Sequence, residues 1–483
     1  MSASKTNLSP VSELAIDLER DGGDALHRQI EASIRGRIRS GALSAGVALP
    51  PTRALAAELG VSRGVIVEAY AQLVAEGYLT SRSGGYTQVA PAPTAASPAV
   101  APARSRSTSR PGPRPIVDFG YGRANLAAFP RAAWLRSVRR VLTEAPAERL
   151  GYLDGRGATE LRSALAAYLN RVRGTNADAD TIIITNGYAQ AVSLLLGVLA
   201  GRGTRTLAVE DPSASDDARP LAHALGMNVI GVPVGGEGVR VDAVAELAAD
   251  VLVLTPSHQW PTGGVLSPKA RAAVLAWAQR TGALILEDDY DAEYRYDRAP
   301  VGAMQGLDPD RVVYAGTASK TLAPGFRLGW VVLPRELVEP FAEAKLLADR
   351  GSPILDQLTF ADFLSRGEFD RHLRRMRPVY RSRRDDLLAA LARHLPELEP
   401  AGIAAGLHLV TWLPHDLPEA TVIAAAEREG VAVAGVAPYA LSPTARGGLI
   451  FGYSNLSGPV IRDGITRLAR AVANVRALTE RSS

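Results

Sequence analysis

The chain has 483 residues, 47% of them hydrophobic and 22% charged. That is the balance of a folded globular protein, and its length allows two to four domains at roughly 100–200 residues each. A net charge of +4 argues only weakly for a polyanionic partner. Zero cysteines exclude disulfides, thiolate metal sites and cysteine nucleophiles. No metal centre is expected. The opening Met-Ser-Ala-Ser-Lys lacks an apolar signal core, and runs such as Ala191–Ala200 are too short to span a bilayer. A cytoplasmic location without membrane contact is therefore expected.

Charge is unevenly placed. Residues 27–90 hold seven arginines against four glutamates, and residues 91–115 hold Arg104, Arg106, Arg110 and Arg114 with no acid. A basic front on a near-neutral body suits a nucleic-acid-facing module.

Residues 1–90 read as one domain. A first helix is expected over about His27–Ser40, and Pro50 and Pro51 then block its continuation. Thr52 is placed to cap a second helix that stops at Gly60, and Ser62 to cap a third that ends at Gly77. The spacing is that of a helix-turn-helix, whose second helix enters the major groove N-terminus first. The stretch YLTSRSGGYTQVA then alternates around Ser83-Gly84-Gly85, which predicts a hairpin wing.

This segment, through SGALSAGVALPPTRALAAELGVSR and AYAQLVAEGYL, resembles the winged-helix domain of the GntR family of bacterial regulators. The resemblance implies that Arg53 and Arg63 contact double-stranded DNA, that Ser62 meets a phosphate, and that Gly84 and Gly85 approach the minor groove. Where relatives are polar and basic, this chain has Gly64, Val65 and Glu68. Base readout is then expected to rest on fewer hydrogen bonds, or on Val65 against thymine methyls.

Residues 91–115, PAPTAASPAVAPARSRSTSRPGPRP, read as a linker. Its 25 residues reach about 25–30 Å as a flexible coil and about 75 Å if extended. Residues 116–483 read as an α/β domain, with a large lobe over about 150–340 and a smaller α+β lobe mainly over 356–475. The short buried runs at 181–185, 206–210, 251–255, 283–287, 311–316 and 328–333 predict a mostly parallel sheet with helices on both faces. Two later strands are expected near 407–413 and 448–453.

Lys320 follows one of these strands in YAGTASKTLAPGFRLGW. An isolated lysine there would ordinarily be a surface residue. Here Thr317 and Ser319 precede it and Arg327 follows it. One loop thus supplies an amine for a Schiff base, with hydroxyls and a guanidinium for a phosphate, as a phosphate-bearing aldehyde requires. ALILEDDYDAEYRY adds acids and a phenol at a strand's C-terminal end. Asp288 suits the ring nitrogen of pyridoxal 5'-phosphate (PLP), with Asp289 as the alternative, and Tyr290 suits its O3'. Gly187 opens a helix whose free N–H groups suit the phosphate, beside Tyr188.

Together these motifs resemble the fold-type I aminotransferases, and with the N-terminal module they resemble the MocR subfamily of GntR regulators. The resemblance implies a PLP-responsive transcription factor in a bacterial cytoplasm, built as a head-to-tail homodimer. It also implies that Tyr152 reaches the partner's phosphate and that Arg446 binds an effector carboxylate. The chain departs from the pattern at three places. Ala214 stands where an aromatic residue stacks on the PLP ring, Trp260 replaces the Asn before Pro-Thr-Gly, and Tyr188 replaces a small hydroxyl residue. Three readings remain open: a regulator sensing PLP or an amino acid or amine, an aminotransferase with an accessory DNA-binding segment, and a DNA-binding protein on an inert scaffold.

Overall fold

The computed structural model describes residues 14, 16–20, 24–81, 86–91, 116–122, 124–152, 154–213, 218–291, 293–296, 301–444 and 446–480. The chain divides into two compact units, Met1–Arg110 and Pro111–Ser483. The division falls within the expected linker, which beyond Pro91 lies outside the described residues, as do Gly84, Gly85 and Ala214.

In the first unit, α1 spans Leu26–Arg39, α2 Thr52–Leu59 and α3 Arg63–Ala75. They precede an antiparallel pair, β1 (Leu79–Ser81) and β2 (Thr87–Val89). Apolar residues recur at helical spacing, with Ile30 and Ile34 on α1 and Ile66, Ala69, Tyr70 and Leu73 on α3. They close with Leu55, Leu79 and Val89 into one core, where each large aliphatic side chain contributes about 1.5–3 kcal/mol. The buried Tyr70 hydroxyl donates to the Pro50 carbonyl at 3.0 Å, tying α3 to the turn before α2. Gly60 ends α2 in the left-handed region at φ 61°, as expected. Thr52 is already helical, however, and Pro51 occupies the cap position. The Pro51 carbonyl accepts from Ala54 N at 2.8 Å and Leu55 N at 3.0 Å, which starts the helical ladder, and no side chain caps the helix.

In the second unit, β3 (Val117–Asp118) precedes α4 (Arg131–Glu144) and α5 (Thr159–Arg173). The large lobe is an eight-stranded sheet. Its strands are β4 (Ile182–Thr185), β5 (Thr206–Asp211), β6 (Asn228–Gly235), β7 (Gly238–Val239), β8 (Val251–Leu254), β9 (Leu284–Asp289), β10 (Val312–Thr317) and β11 (Gly329–Val332). The order is β4-β11-β10-β9-β8-β5-β6-β7. Strands β6, β5, β8, β9 and β10 run parallel, while β11 is antiparallel to both of its neighbours. Helix α6 (Tyr188–Gly201) follows β4.

The smaller lobe has β12 (Glu399–Ala401), β13 (His408–Trp412), β14 (Val431–Ala432), β15 (Ala434–Gly435) and β16 (Gly448–Gly452). Four of these form an antiparallel sheet in the order β12-β13-β16-β15, which shares one apolar core with the packed helices Glu368–His394 and Gly458–Glu480. Strand β14 pairs instead with β3, so the beginning of this unit joins the smaller lobe.

Candidate functional site

Register brings the chemistry to one edge of the sheet. Thr317 at the end of β10 is paired with Gly329, which is also paired with Thr185 at the end of β4, and Asp289 at the end of β9 is paired with Gly316. The loops leaving β4, β9 and β10 therefore open onto the same side.

Lys320 lies in the loop after β10. Its Nζ donates to the Gly122 carbonyl at 3.4 Å and sits 4.9 Å from the centroid of the Tyr121 ring. Burial pulls the amine below its ordinary lysine value, against the raising effect of Asp291 and Asp288. A Cβ on Gly122 would lie 2.9 Å from Nζ, and φ there is +85°, so glycine makes the space for the amine.

The adjacent acids separate by face. Asp289 is buried and receives Arg173 Nε at 2.7 Å, Arg173 Nη2 at 3.1 Å and the Tyr314 hydroxyl at 2.6 Å. Asp288, on the opposite face of β9, is hydrogen-bonded by the Tyr188 hydroxyl and feels the Lys320 charge. Burial pushes its carboxyl well above the usual range, and neighbouring Asp289 adds to that push. Of the two acids, Asp288 is the one beside the lysine. The Tyr290 hydroxyl donates to the His258 carbonyl at 2.9 Å and bonds the Tyr121 hydroxyl.

The anion cradle forms where β4 meets α6. Gly187 caps α6 at φ 84°, and a Cβ there would come within 2.8 Å of Arg327 Nη2. That guanidinium donates to the Asn186 carbonyl at 2.7 Å and is otherwise exposed. The Thr317 hydroxyl donates to Ser319 Oγ at 3.0 Å. Free helical N–H groups, two hydroxyls and an arginine match a phosphate, while the amine and carboxylate match an aldehyde on a pyridine ring. The residues fit PLP. When bound, PLP supplies an electrophilic aldehyde and an electron-withdrawing ring.

Two expected residues stand apart from this group. Arg446 donates to the Leu413 carbonyl at 2.6 Å and pairs with Glu399 at 3.0 Å. It lines a groove of about 480 Å³ with Asp211, Pro233 and Trp412, and among the described residues its hydrogen bonds and ion pair go to Leu413 and Glu399. Tyr152 is 94% exposed. Tyr121, Gly122 and Arg173 were not anticipated. A glycine before a buried lysine's amine leaves no periodic signal, and Arg173 is distant in sequence from its acid.

On the first unit, Arg53, Ser62, Arg63 and Gly64 are exposed. Ser62 begins α3 without capping it, so its hydroxyl is not engaged at that helix end. Arg63 Nε reaches Thr52 Oγ1 at 3.5 Å, linking α3 to the start of α2. Val65 is half-buried against the core, so only part of it faces outward. Glu68 lies 3.8 Å from His27 Nε2 on α1.

The chain matches the bacterial regulatory proteins of the gntR family over residues 26–89 and the aminotransferase class I and II family over residues 116–447. Fold and site thus define a winged helix-turn-helix joined to a PLP-type aminotransferase fold. Over 470 residues the chain is 34% identical to the probable rhizopine catabolism regulatory protein MocR of Rhizobium meliloti, covering 94% of this chain and 95% of that one. It is 30% identical to the pyridoxine biosynthesis transcriptional regulator PdxR of Corynebacterium glutamicum, over 96% and 99% of the two chains. Among solved structures it resembles the α-aminoadipate aminotransferase LysN of Thermus thermophilus, complexed with N-(5'-phosphopyridoxyl)-L-leucine. That match has a TM-score of 0.68 and 28% identity over 75% of this chain and 93% of that one. The protein belongs to the MocR subfamily of GntR-family transcriptional regulators. Among the described residues, no helix is long and apolar enough to cross a membrane.

Proposed function

We propose that this regulator binds promoter DNA through α3 and the hairpin, and senses PLP, or an amino acid or amine that meets PLP, in the Lys320 cleft. The observation that carries the reading is the convergence of Lys320, Asp288 and the Gly187–Arg327 cradle on one sheet edge, in a chain that also carries a winged helix. In this reading Lys320 attaches the aldehyde, Asp288 holds the ring nitrogen, Tyr290 faces O3', and Tyr188 steadies Asp288. Thr317, Ser319, Arg327 and Gly187 hold the phosphate. Arg53, Ser62, Arg63, Gly64 and Val65 face DNA, with Gly84 and Gly85 at the wing.

The working assembly is a cytoplasmic head-to-tail homodimer. The exposure of Tyr152 supports a role for it across that interface. Arg446, held by Glu399, reaches an effector carboxylate only by leaving that pairing.

The deciding experiment is a spectral titration of the PLP-loaded protein with amino acids and amines, read beside operator binding. A ligand that shifts both spectrum and DNA affinity supports the reading. Steady turnover with a keto acid, with DNA affinity unchanged, favours an aminotransferase instead.

A further inference from the structure

We propose that His258, Asp291 and His408 form a binding site for one divalent transition-metal ion of the zinc type. The three side chains are 3%, 2% and 2% exposed, and each offers a ligand atom within 4.8 Å of the other two. They come from different parts of the fold. His258 follows β8, Asp291 follows β9, and His408 opens β13 of the smaller lobe.

A hydrogen bond accounts for two of them, since His258 Nδ1 lies 3.0 and 3.2 Å from the two oxygens of Asp291. It does not account for His408. The Nε2 atom of His408 faces the Pro261 carbonyl at 3.2 Å, a contact that requires the proton on Nε2. Nδ1 is then a bare lone pair, and it is buried without a hydrogen-bond partner. An orphaned buried acceptor costs about 1–3 kcal/mol. An imidazole that donates one N–H to a backbone carbonyl and keeps its other nitrogen buried and unpaired, beside a histidine ring 4.9 Å away, has the arrangement of a metal ligand with its outer support.

Two imidazoles and one carboxylate, with no thiolate, match the three-ligand set of zinc sites that keep a fourth position open. The Tyr290 hydroxyl lies 3.2 Å from His258 Nδ1, beside these groups. Ligand bonds of about 2.0–2.2 Å place tetrahedral ligand atoms about 3.4 Å apart. The ligand atoms lie within 4.8 Å of one another, so they need close by no more than about 1.4 Å on binding. An ion bound at Nδ1 of His258 would replace that atom's hydrogen bond to Asp291. Because one ligand belongs to the smaller lobe and two to the large one, an ion here would pin the lobes together beside Tyr290. The site does not depend on PLP, which permits a test on cofactor-free protein.

The full-length protein, chelator-treated and stripped of PLP, is titrated with Zn2+ against a chromogenic chelator, and separately with Co2+ followed by visible absorption. The expected result is one tight ion per chain and a tetrahedral Co2+ spectrum. H408Q and D291N should each weaken binding by roughly tenfold or more. Uptake equal in both variants, or no uptake at micromolar free ion, would overturn the site. X-ray absorption on the zinc-loaded natural chain guards against variants that fail to fold. A first shell with two imidazole nitrogens supports the proposal, and an all-oxygen shell overturns it.

Discussion

Asp289 and Arg173 form a closed buried pair, with Nε at 2.7 Å and Nη2 at 3.1 Å from the two carboxylate oxygens. The Ser257 and Tyr314 hydroxyls complete the network around it. Asp289 is thereby committed to the scaffold and Asp288 is left for the cleft. D289N should strand a buried guanidinium and destabilise the second unit by about 3–5 kcal/mol. D288N should leave the unfolding midpoint nearly unchanged while weakening PLP binding. Denaturant unfolding and PLP titration of both variants check this, and an equal loss of stability in D288N would defeat the division of roles.

In the proposed reading Lys320 is the amine that attaches PLP. K320A should leave no cofactor mass fixed to the protein after borohydride reduction, whereas the natural chain should carry it on the peptide containing Lys320. Intact-protein and peptide mass spectrometry decide it. A reducible adduct on another lysine would displace the assignment.

The space for that amine depends on Gly122. In G122A the new methyl would meet Nζ at 2.9 Å, at a φ of +85° that costs an L-residue about 1–2 kcal/mol. PLP affinity should fall by about tenfold, with the helical content of the protein unchanged. Fluorescence titration beside circular dichroism measures both.

On the DNA face, R63A should weaken binding to the specific operator by about 1–3 kcal/mol if the guanidinium reads a base. If Arg63 touches phosphate alone, the loss should be equal on all sequences and the salt slope should fall by about one. Binding isotherms at several salt concentrations separate the two outcomes. An unchanged R63A would remove α3 from the recognition role.

Stability should also depend on pH through Glu287. Burial raises its carboxyl from 4.5 to about 7, with Asp289 adding to the rise, although Met304 and Gln305 donate backbone N–H groups to it. The folded chain therefore binds this proton more tightly than the unfolded chain. Stability is fully present below 4.5 and is lost as pH rises towards about 7. Melting of the cofactor-free second unit should occur at progressively lower temperature across that window, and E287Q should lessen the trend. Glu210 and Glu293, which burial also raises to about 7, supply the rest. An identical slope in E287Q would place the titration elsewhere.

Much of this molecule was legible because its signals are local. The β-branched runs marked β4, β5 and β8 to β11, and the Lys320 loop carried its own hydroxyls and arginine. Strand β6 was missed because Gly231 and Pro233 interrupt its apolar pattern while backbone pairing with β5 still holds it in the sheet. The choice between Asp288 and Asp289 was open in the sequence because strand alternation fixes opposite faces without saying which is which. Arg173, 116 positions away, pairs with Asp289, which supports assigning Asp288 to the cleft. The residues around Arg446 in sequence likewise carry no sign of its partner, Glu399 on β12.

The antiparallel course of β11 has a consequence for the order in which the cradle can form. Gly187 and Arg327 face each other because β11 inserts between β10 and β4, which places the arginine 141 positions beyond the Asn186 carbonyl that receives it. A nascent chain emerging from the ribosome thus presents the N-terminal half of the cradle long before its cation exists. The intervening strands must find their places before β11 can dock. Contacts closing so long a loop reward the chain late and slow its folding. Phosphate-bearing ligands should accordingly bind only the finished sheet and stabilise it by mass action, so the folded fraction of newly made chain should rise with free cofactor.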